Sequence, residues 1–357
     1  MSSLPVVALL GIFVLAAAAI WIAGIELSKQ TDVLSTRLHL GAALGGLLLL
    51  AVATNLPEIA ITVSASLSGD VGVAVGNILG GIAIQTVVLV VLDAVGVRGR
   101  RPLTYQAASL VLVLEAALVV AVLAVVVAGS QLPPSLVVLR LTPAPVLIAI
   151  VWVGGLLLLR RAQQGLPWQQ ESGAAPDGQR RPRGHSREQA EHDATGRGVS
   201  TARAGAVFGA AAVVTLLAGV ALERSGDAIA SHVGLTGVLF GATVLAAATS
   251  LPEVSTGLTS VRQGDVQLAV SDIFGGNAFL PVLFLPATVL SGSAVLPQAS
   301  ASDIYLTALA MLLTLVYAAG LVLRPRRRLA RMGVDSVAVL VLYALGLAGL
   351  VAIVASG

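Results

Sequence analysis

Ten apolar stretches recur along this chain, and nothing else in the sequence limits its fold so strongly. A helix rises about 1.5 Å per residue, so about 20 residues cover the roughly 30 Å hydrocarbon core of a bilayer. The spacing predicts spans over 4–24, 40–66, 71–95, 104–128, 142–160, 204–222, 235–260, 266–292, 303–322 and 335–355. Of the 357 residues, 57% are hydrophobic and 11% charged, and the mean hydropathy is +0.94. A soluble globule cannot hide that much apolar surface, so an all-α integral membrane protein with ten transmembrane helices is expected. The chain has no cysteine, which leaves oxygen and nitrogen groups to carry any site chemistry. Its 21 basic and 18 acidic residues form no face basic enough to argue for nucleic acid.

Residues 161–203 interrupt the pattern with Arg, Gln, Gly, Pro, Ser and acids. Having little to bury, this segment is expected to be a disordered linker between a first five-helix repeat, 1–160, and a second, 204–357. No basic residue precedes the first apolar run, and the run is long, so a retained helix is expected there in place of a cleaved signal. Sorting Lys and Arg by loop places 19 on one side, among them Lys29, Arg101, Arg262, Arg324 and Arg328, and only Arg140 and Arg224 on the other. Cytoplasmic loops retain positive charge, which predicts a cytoplasmic linker and both termini outside the cell membrane. Arginine-rich loops also suit anionic lipid headgroups, although orientation alone accounts for them.

The chain repeats itself at an offset of 195 residues. Ala51-Val-Ala-Thr-Asn-Leu-Pro-Glu58 falls on Ala246-Ala-Ala-Thr-Ser-Leu-Pro-Glu253, and 15 of the 33 positions from Ala51 to Ala83 match without a gap. Matched Pro, Glu, Gly and Asp do not arise from chance similarity between hydrophobic helices. Five spans per repeat is an odd number, so the second copy enters the membrane upside down. Inverted repeats of this kind place a binding site near mid-membrane, where broken helices meet, and support alternating access.

Glu58 and Glu253 lie well inside the second and seventh spans. An acid there costs roughly 2.5 to 3.5 kcal/mol unless it is paired, protonated or bound to a cation, and no intramembrane Lys or Arg is present to pair with it. A structural pair of protonated acids is the plainer reading. Pro57 and Pro252 are expected to kink these helices and to release the carbonyls of Ala53 and Ala248. Thr54 and Thr249 stand four residues before the glutamates and should share their helix face. Carboxylate, hydroxyl and carbonyl oxygens are hard donors suited to Ca²⁺ or Na⁺. In the third and eighth spans Asn77 aligns with Asp272, a third intramembrane carboxylate read as ligand or proton carrier. Gly72 and Gly76 read mainly as helix-packing positions. Glu115 has no acidic counterpart, since position 310 is Ala, and local hydrogen bonding is expected of it. Asp70 and Asp265 read as turn or cap residues, and His39, His185, His192 and His232 show no ligand spacing.

The pair ATNLPE and ATSLPE, followed about twenty residues later by GNILGG and SDIFGGN, resembles the two alpha repeats of the sodium/calcium exchanger family, within the wider cation/calcium antiporters. The resemblance covers both halves. It implies that Glu58 and Glu253 bind Ca²⁺, that Thr54, Thr249 and Ser250 supply further ligands for Na⁺ and Ca²⁺, and that Asn55 stands in place of a usual serine. Gly81 and Gly276 replace serines of the family's GNxxGSN pattern. The polar residue expected one turn further is Gln85 in one repeat and Leu280 in the other, while Asn277 keeps its place. With fewer sodium-type oxygens, and with three acids able to trade protons for cations, H⁺ is expected as coupling ion instead of or besides Na⁺.

The expectation is therefore a secondary antiporter, not an enzyme, that exports Ca²⁺ against Na⁺ or H⁺ with no cofactor, its partners being inorganic cations and the lipid bilayer. A monovalent cation/proton antiporter is the alternative, favoured by the lost serines, and a passive channel has no need of inverted repeats. An intramembrane zinc protease would require an H-E-x-x-H helix, which the sequence lacks.

Overall fold

The computed structural model describes residues 4–37, 50–69, 71–97, 99, 101–137, 140–164, 200–233 and 241–356. Most of the expected linker, together with Asp70, His39, His185 and His192, lies outside the described residues. The chain is helical, in the order α1 (Val6–Arg37), α2 (Ala51–Thr54), α3 (Leu56–Ser68), α4 (Val71–Val91), α5 (Leu103–Ala107), α6 (Leu110–Ser130) and α7 (Pro143–Gln164). The second half follows as α8 (Thr201–Val233), α9 (Ala246–Thr249), α10 (Leu251–Gln263), α11 (Val266–Phe279), α12 (Phe284–Ser291), α13 (Ala301–Leu323) and α14 (Val334–Ser356). A two-stranded hairpin, β1 (Arg328–Leu329) and β2 (Met332–Gly333), joins α13 to α14.

Among the described residues, eight helical stretches are long and apolar enough to cross a membrane. The second and seventh expected spans depart from that pattern, and their departure builds the site. Each was expected as a single kinked helix; each is broken. Asn55 separates α2 from α3, and Ser250 separates α9 from α10. Pro57 and Pro252 sit in the first turn of the new helices, where a missing amide proton leaves no bond unmade and the fixed φ suits a helix start. Proline here begins a helix. Both new helices also stop alike, on Gly69 (φ 79°) and Gly264 (φ 90°) in the left-handed region.

The central helices are α4 and the run from α11 into α12, whose surfaces are mostly buried, whereas α1, α7, α8 and α14 leave most of theirs to the surroundings. The apolar core lies among α4, α6, α11 and α13, with Phe274, Phe284 and Tyr317 fully enclosed. The two repeats interlock: α1 packs on α10 and α8 on α3. Two glycines that are equivalent at the 195-residue offset permit this. A Cβ on Gly24 would fall 3.0 Å from Pro252 Cα and 2.6 Å from Ser255 Oγ, and one on Gly219 would fall 2.8 Å from Pro57 Cα. The helix backbones thus touch at the prolines that open α3 and α10.

Because those neighbours are backbone atoms that cannot swing aside, Gly24→Ala and Gly219→Ala should each cost about 1 to 3 kcal/mol, read as a lowered Tm of the purified protein. Gly209→Ala meets nothing within 4 Å and should be neutral or stabilising.

Candidate cation site

Glu58 and Glu253 occupy the first turns of α3 and α10, and both are fully buried. That position exposes each carboxylate to unpaired amides and to the positive end of the helix dipole. Within the protein this support is incomplete. Both Glu58 oxygens and Glu253 Oε2 lack a hydrogen-bond partner, as do Gln85 Oε1 and Asp272 Oδ1. Burying such groups unsatisfied is costly, by several kcal/mol for an ion, so the arrangement calls for a positive charge from elsewhere.

The repeats exchange partners at this point. Thr249 turns toward Glu58, and Thr54 turns toward Glu253. The expected sharing of a helix face within one repeat is therefore corrected: the breaks at Asn55 and Ser250 send each threonine to the other repeat's glutamate. Each threonine hydroxyl donates its proton backward, Thr54 to Leu50 O at 3.0 Å and Thr249 to Ala246 O at 3.1 Å. Their oxygen lone pairs are left facing the carboxylates. Ser250 does likewise through Ala246 O at 2.7 Å. The amides that follow the expected free carbonyls of Ala53 and Ala248 bond one turn back, Asn55 N to Ala51 O at 3.3 Å and Ser250 N to Ala246 O at 3.1 Å.

Gln85 joins the halves. From the middle of α4 its Nε2 donates to Asn55 Oδ1 at 3.0 Å and to Glu253 Oε1 at 3.3 Å. Asn55 Nδ2 in turn donates to Ala51 O at 2.7 Å, so this side chain is held at both ends by protein. Gly276 explains how it fits. A Cβ there would lie 2.8 Å from Asn55 Nδ2, so the glycine vacates the room that asparagine fills. On the opposite side, a Cβ on Gly81 would meet only Leu280 Cδ1, at 3.8 Å. The site is thus polar and amide-filled toward Gly276 and apolar toward Gly81.

Asn77 and Asp272, equivalent in sequence, tie the neighbouring helices to the glutamate helices. Asn77 Nδ2 donates to Glu58 O at 3.2 Å, and Asp272 Oδ2 accepts from Thr256 at 2.8 Å. Asp272 and Glu58 both act electrostatically on Glu253, yet among the described residues no three carboxylate or imidazole groups converge as a metal cluster. A cation here would rest on the two glutamates with hydroxyl and amide oxygens. Asn277 Nδ2 donates to Thr86 at 3.0 Å, stitching α11 to α4, while its Oδ1 is buried without a partner among the described residues. Glu115 was expected to bond locally; instead it accepts from Ser271 at 3.0 Å, across from α11 of the other repeat. Thr256 and Thr86 were not singled out in the sequence. Thr256, three residues after Glu253 and so one helical turn away, could have been found by spacing; Thr86 could not, because its partner comes from a distant helix.

Two interlocked helical repeats, each opening a broken helix with a buried glutamate, define a membrane protein built to handle cations. Comparison with known proteins agrees. A family model described as "Sodium/calcium exchanger protein" matches residues 8–159 and 203–352. The chain belongs to the sodium/calcium exchanger family, whose members are transporters of inorganic cations and not enzymes. It is 27% identical over 249 residues to the inner membrane protein YrbG of Escherichia coli (strain K12), covering 69% of each chain. The sodium-calcium exchanger NCX_Mj soaked with 100 mM Na⁺ and 10 mM Sr²⁺ has the same fold, with a TM-score of 0.61 at 15% identity over 96% of this chain and 99% of that one. The same exchanger soaked without Na⁺ and Ca²⁺ gives a TM-score of 0.59 at 16% identity, covering 97% of this chain and all of that one.

The size exchange between Asn55 and Gly276 is testable by a double-mutant cycle. Gly276→Ser should lower stability by about 1 to 3 kcal/mol through the clash with Asn55, and adding Asn55→Ser should recover most of the loss. Gly81→Ser, whose added Cβ would meet only Leu280 at ordinary contact distance, should shift stability by less than about 1 kcal/mol.

Proposed function

We propose that this protein is a secondary antiporter that exports Ca²⁺ in exchange for H⁺ or Na⁺, with Glu58 and Glu253 as the principal cation ligands. The observation that carries this reading is the set of buried glutamate oxygens, drawn from both repeats, that have no hydrogen-bond partner among the described residues. Thr54, Thr249 and Ser250 add hydroxyl oxygens, Gln85 Oε1 adds an amide oxygen, and Asp272 adds charge from beside the cavity. Asn55, with its amide engaged at both ends, positions Gln85 and has little left for a cation.

Alternating access follows from the way the site is divided. Each repeat contributes one glutamate, and α1 and α8 cover the partner repeat's broken helix, so a shift of one repeat against the other opens one face as it closes the other. An occupied site holds the repeats together through shared ligands; two bare carboxylates repel. Movement of the empty, charged site is thereby disfavoured, and this is what couples export to the returning ion. In this reading two five-helix repeats, 1–160 and 204–357, are joined by a cytoplasmic linker over 161–203, with both termini outside the cell.

Gly81, Gly276 and Leu280 remove oxygens that sodium would use, which favours protons as the returning ion and keeps a monovalent cation/proton antiporter as the second reading. Radiolabelled calcium uptake into proteoliposomes under imposed pH or Na⁺ gradients decides between them. Calcium should accumulate when a pH gradient is imposed, and acidifying the loading side should slow uptake, because a protonated carboxylate cannot ligate calcium. Glu58→Gln and Glu253→Gln should each reduce uptake to background while the protein keeps its fold. Uptake untouched by both substitutions removes the site, sodium-driven uptake indifferent to pH removes the proton, and proton-driven Na⁺ movement without calcium movement supports the second reading.

A further inference from the structure

Away from the glutamates, at the arginine-rich end of α13 and α14, the chain forms an open cleft of about 650 Å³. Tyr105, Arg324, Arg326 and Arg327 line it, with Leu323 and Val334 at its edge. Tyr105 is clasped between two guanidinium groups, Arg101 at 4.4 Å from the ring centroid and Arg324 at 4.7 Å. Arg101 also donates to the Tyr105 hydroxyl, and Arg324 Nη2 donates to the Tyr105 carbonyl at 3.3 Å. A hydrogen bond from Arg326, reinforced by the neighbouring positive charges, lowers the pKa of that hydroxyl. An aromatic ring has gathered three arginines around it.

Like charges brought this close repel unless an anion lies among them. Among the described residues, no Asp or Glu forms an ion pair with Arg101, Arg324, Arg326 or Arg327. Arg328 is different. It reaches Asp93, 4.0 Å away, and donates to Asp93 O at 2.9 Å and Gly99 O at 2.6 Å. Asp93 also accepts from Leu103 N at 2.8 Å, Gly333 N at 2.6 Å and Ser336 Oγ at 2.8 Å. One buried carboxylate therefore braces α5, the hairpin and the start of α14 as the walls of the cleft, which is shaped before any ligand arrives.

Arg324 caps α13 in the left-handed region (φ 50°) with its guanidinium over the ring, while the positive φ of Ala330 (49°) and Arg331 (71°) belongs to the two-residue hairpin turn. A bias of arginines toward one side of the membrane explains their number. It does not explain why they surround a tyrosine, or why Arg324 is turned over the ring.

The edges indicate what kind of anion fits. Leu323 is 78% exposed and Val334 50% exposed, and they stand at the ends of the two spanning helices, so apolar surface adjoins the cationic cleft. We propose that this cleft binds the phosphate-bearing headgroup of an anionic phospholipid, with the phosphate held by Arg324, Arg326 and Arg327 and the acyl chains lying along Leu323 and Val334. Guanidinium forks match phosphate oxygens, and the aromatic ring keeps the forks in place. The site is separate from the glutamates and does not depend on what the protein transports.

Native mass spectrometry of the detergent-purified full chain, titrated with phosphatidylglycerol or with neutral phosphatidylcholine, tests this directly. Phosphatidylglycerol adducts should predominate, and Arg326→Gln/Arg327→Gln should weaken them about thirtyfold, as expected for the loss of two basic contacts to an anionic headgroup. Both side chains are exposed, so the variant should keep its fold, and an unchanged Tm without lipid verifies this. Arg326→Glu/Arg327→Glu should abolish the adducts. Arg180→Gln/Arg181→Gln removes the same charge from the 161–203 segment and should leave them intact. Equal retention of both lipids, equal loss in the 180/181 variant, or displacement of the lipid by millimolar inorganic phosphate would each overturn the assignment.

Discussion

Two carboxylates buried without a fixed counter-charge are what the rest of this molecule is arranged around. An apolar bundle tolerates such groups only if something compensates them. Here local devices supply part of the compensation, and the proposed function assigns the rest to a mobile ion. The first turn of a helix directs amides at each glutamate, a threonine hydroxyl from the opposite repeat lies beside it, and Gln85 donates to Glu253. These devices leave several oxygens unmatched, and in the function proposed above that remainder is what a cation would satisfy.

The helix breaks serve the same end. Asn55 and Ser250 interrupt spans that would otherwise carry the acids on continuous helix, and the prolines then start new helices whose first residues point into the bundle. The glycines at 24 and 219 let α1 and α8 settle directly onto these breaks. Close packing and ion chemistry therefore meet at the same residues. Duplication supplied two copies of this unit, and later substitution made them unequal: a glutamine and an asparagine crowd one side while a leucine fills the other. The asymmetry removes oxygen ligands without opening a void, because the side chain added at 55 occupies the volume left at 276.

Much of this was legible in the sequence. Apolar runs of membrane-spanning length, the 195-residue repeat and the twin ATNLPE and ATSLPE motifs led to the family and to Glu58 and Glu253, because hydrophobic length and repeated polar residues are properties of the chain itself. The broken helices were half legible. Proline marked the place, but whether a proline bends a helix or starts one depends on the residue before it and on what packs alongside. Gln85 showed as a departure from the family's pattern, and only the fold reveals that it bonds both Asn55 and Glu253. Asn277 kept the family residue, and only the fold reveals that its amide bonds to Thr86 on the other repeat.

What the sequence by itself determined is the inventory: that most of the chain seeks the membrane, which two acids are stranded there, and that they are copies of each other. These follow from local hydrophobicity and from identity between the halves, neither of which needs a third dimension. Only the tertiary structure decided the pairings, from the crossed threonines and the fit of Asn55 against Gly276 to the arginines gathered on Tyr105. Such contacts join residues up to about two hundred positions apart, and a contact of that range depends on helix packing angles and side-chain volumes that no local stretch of sequence encodes.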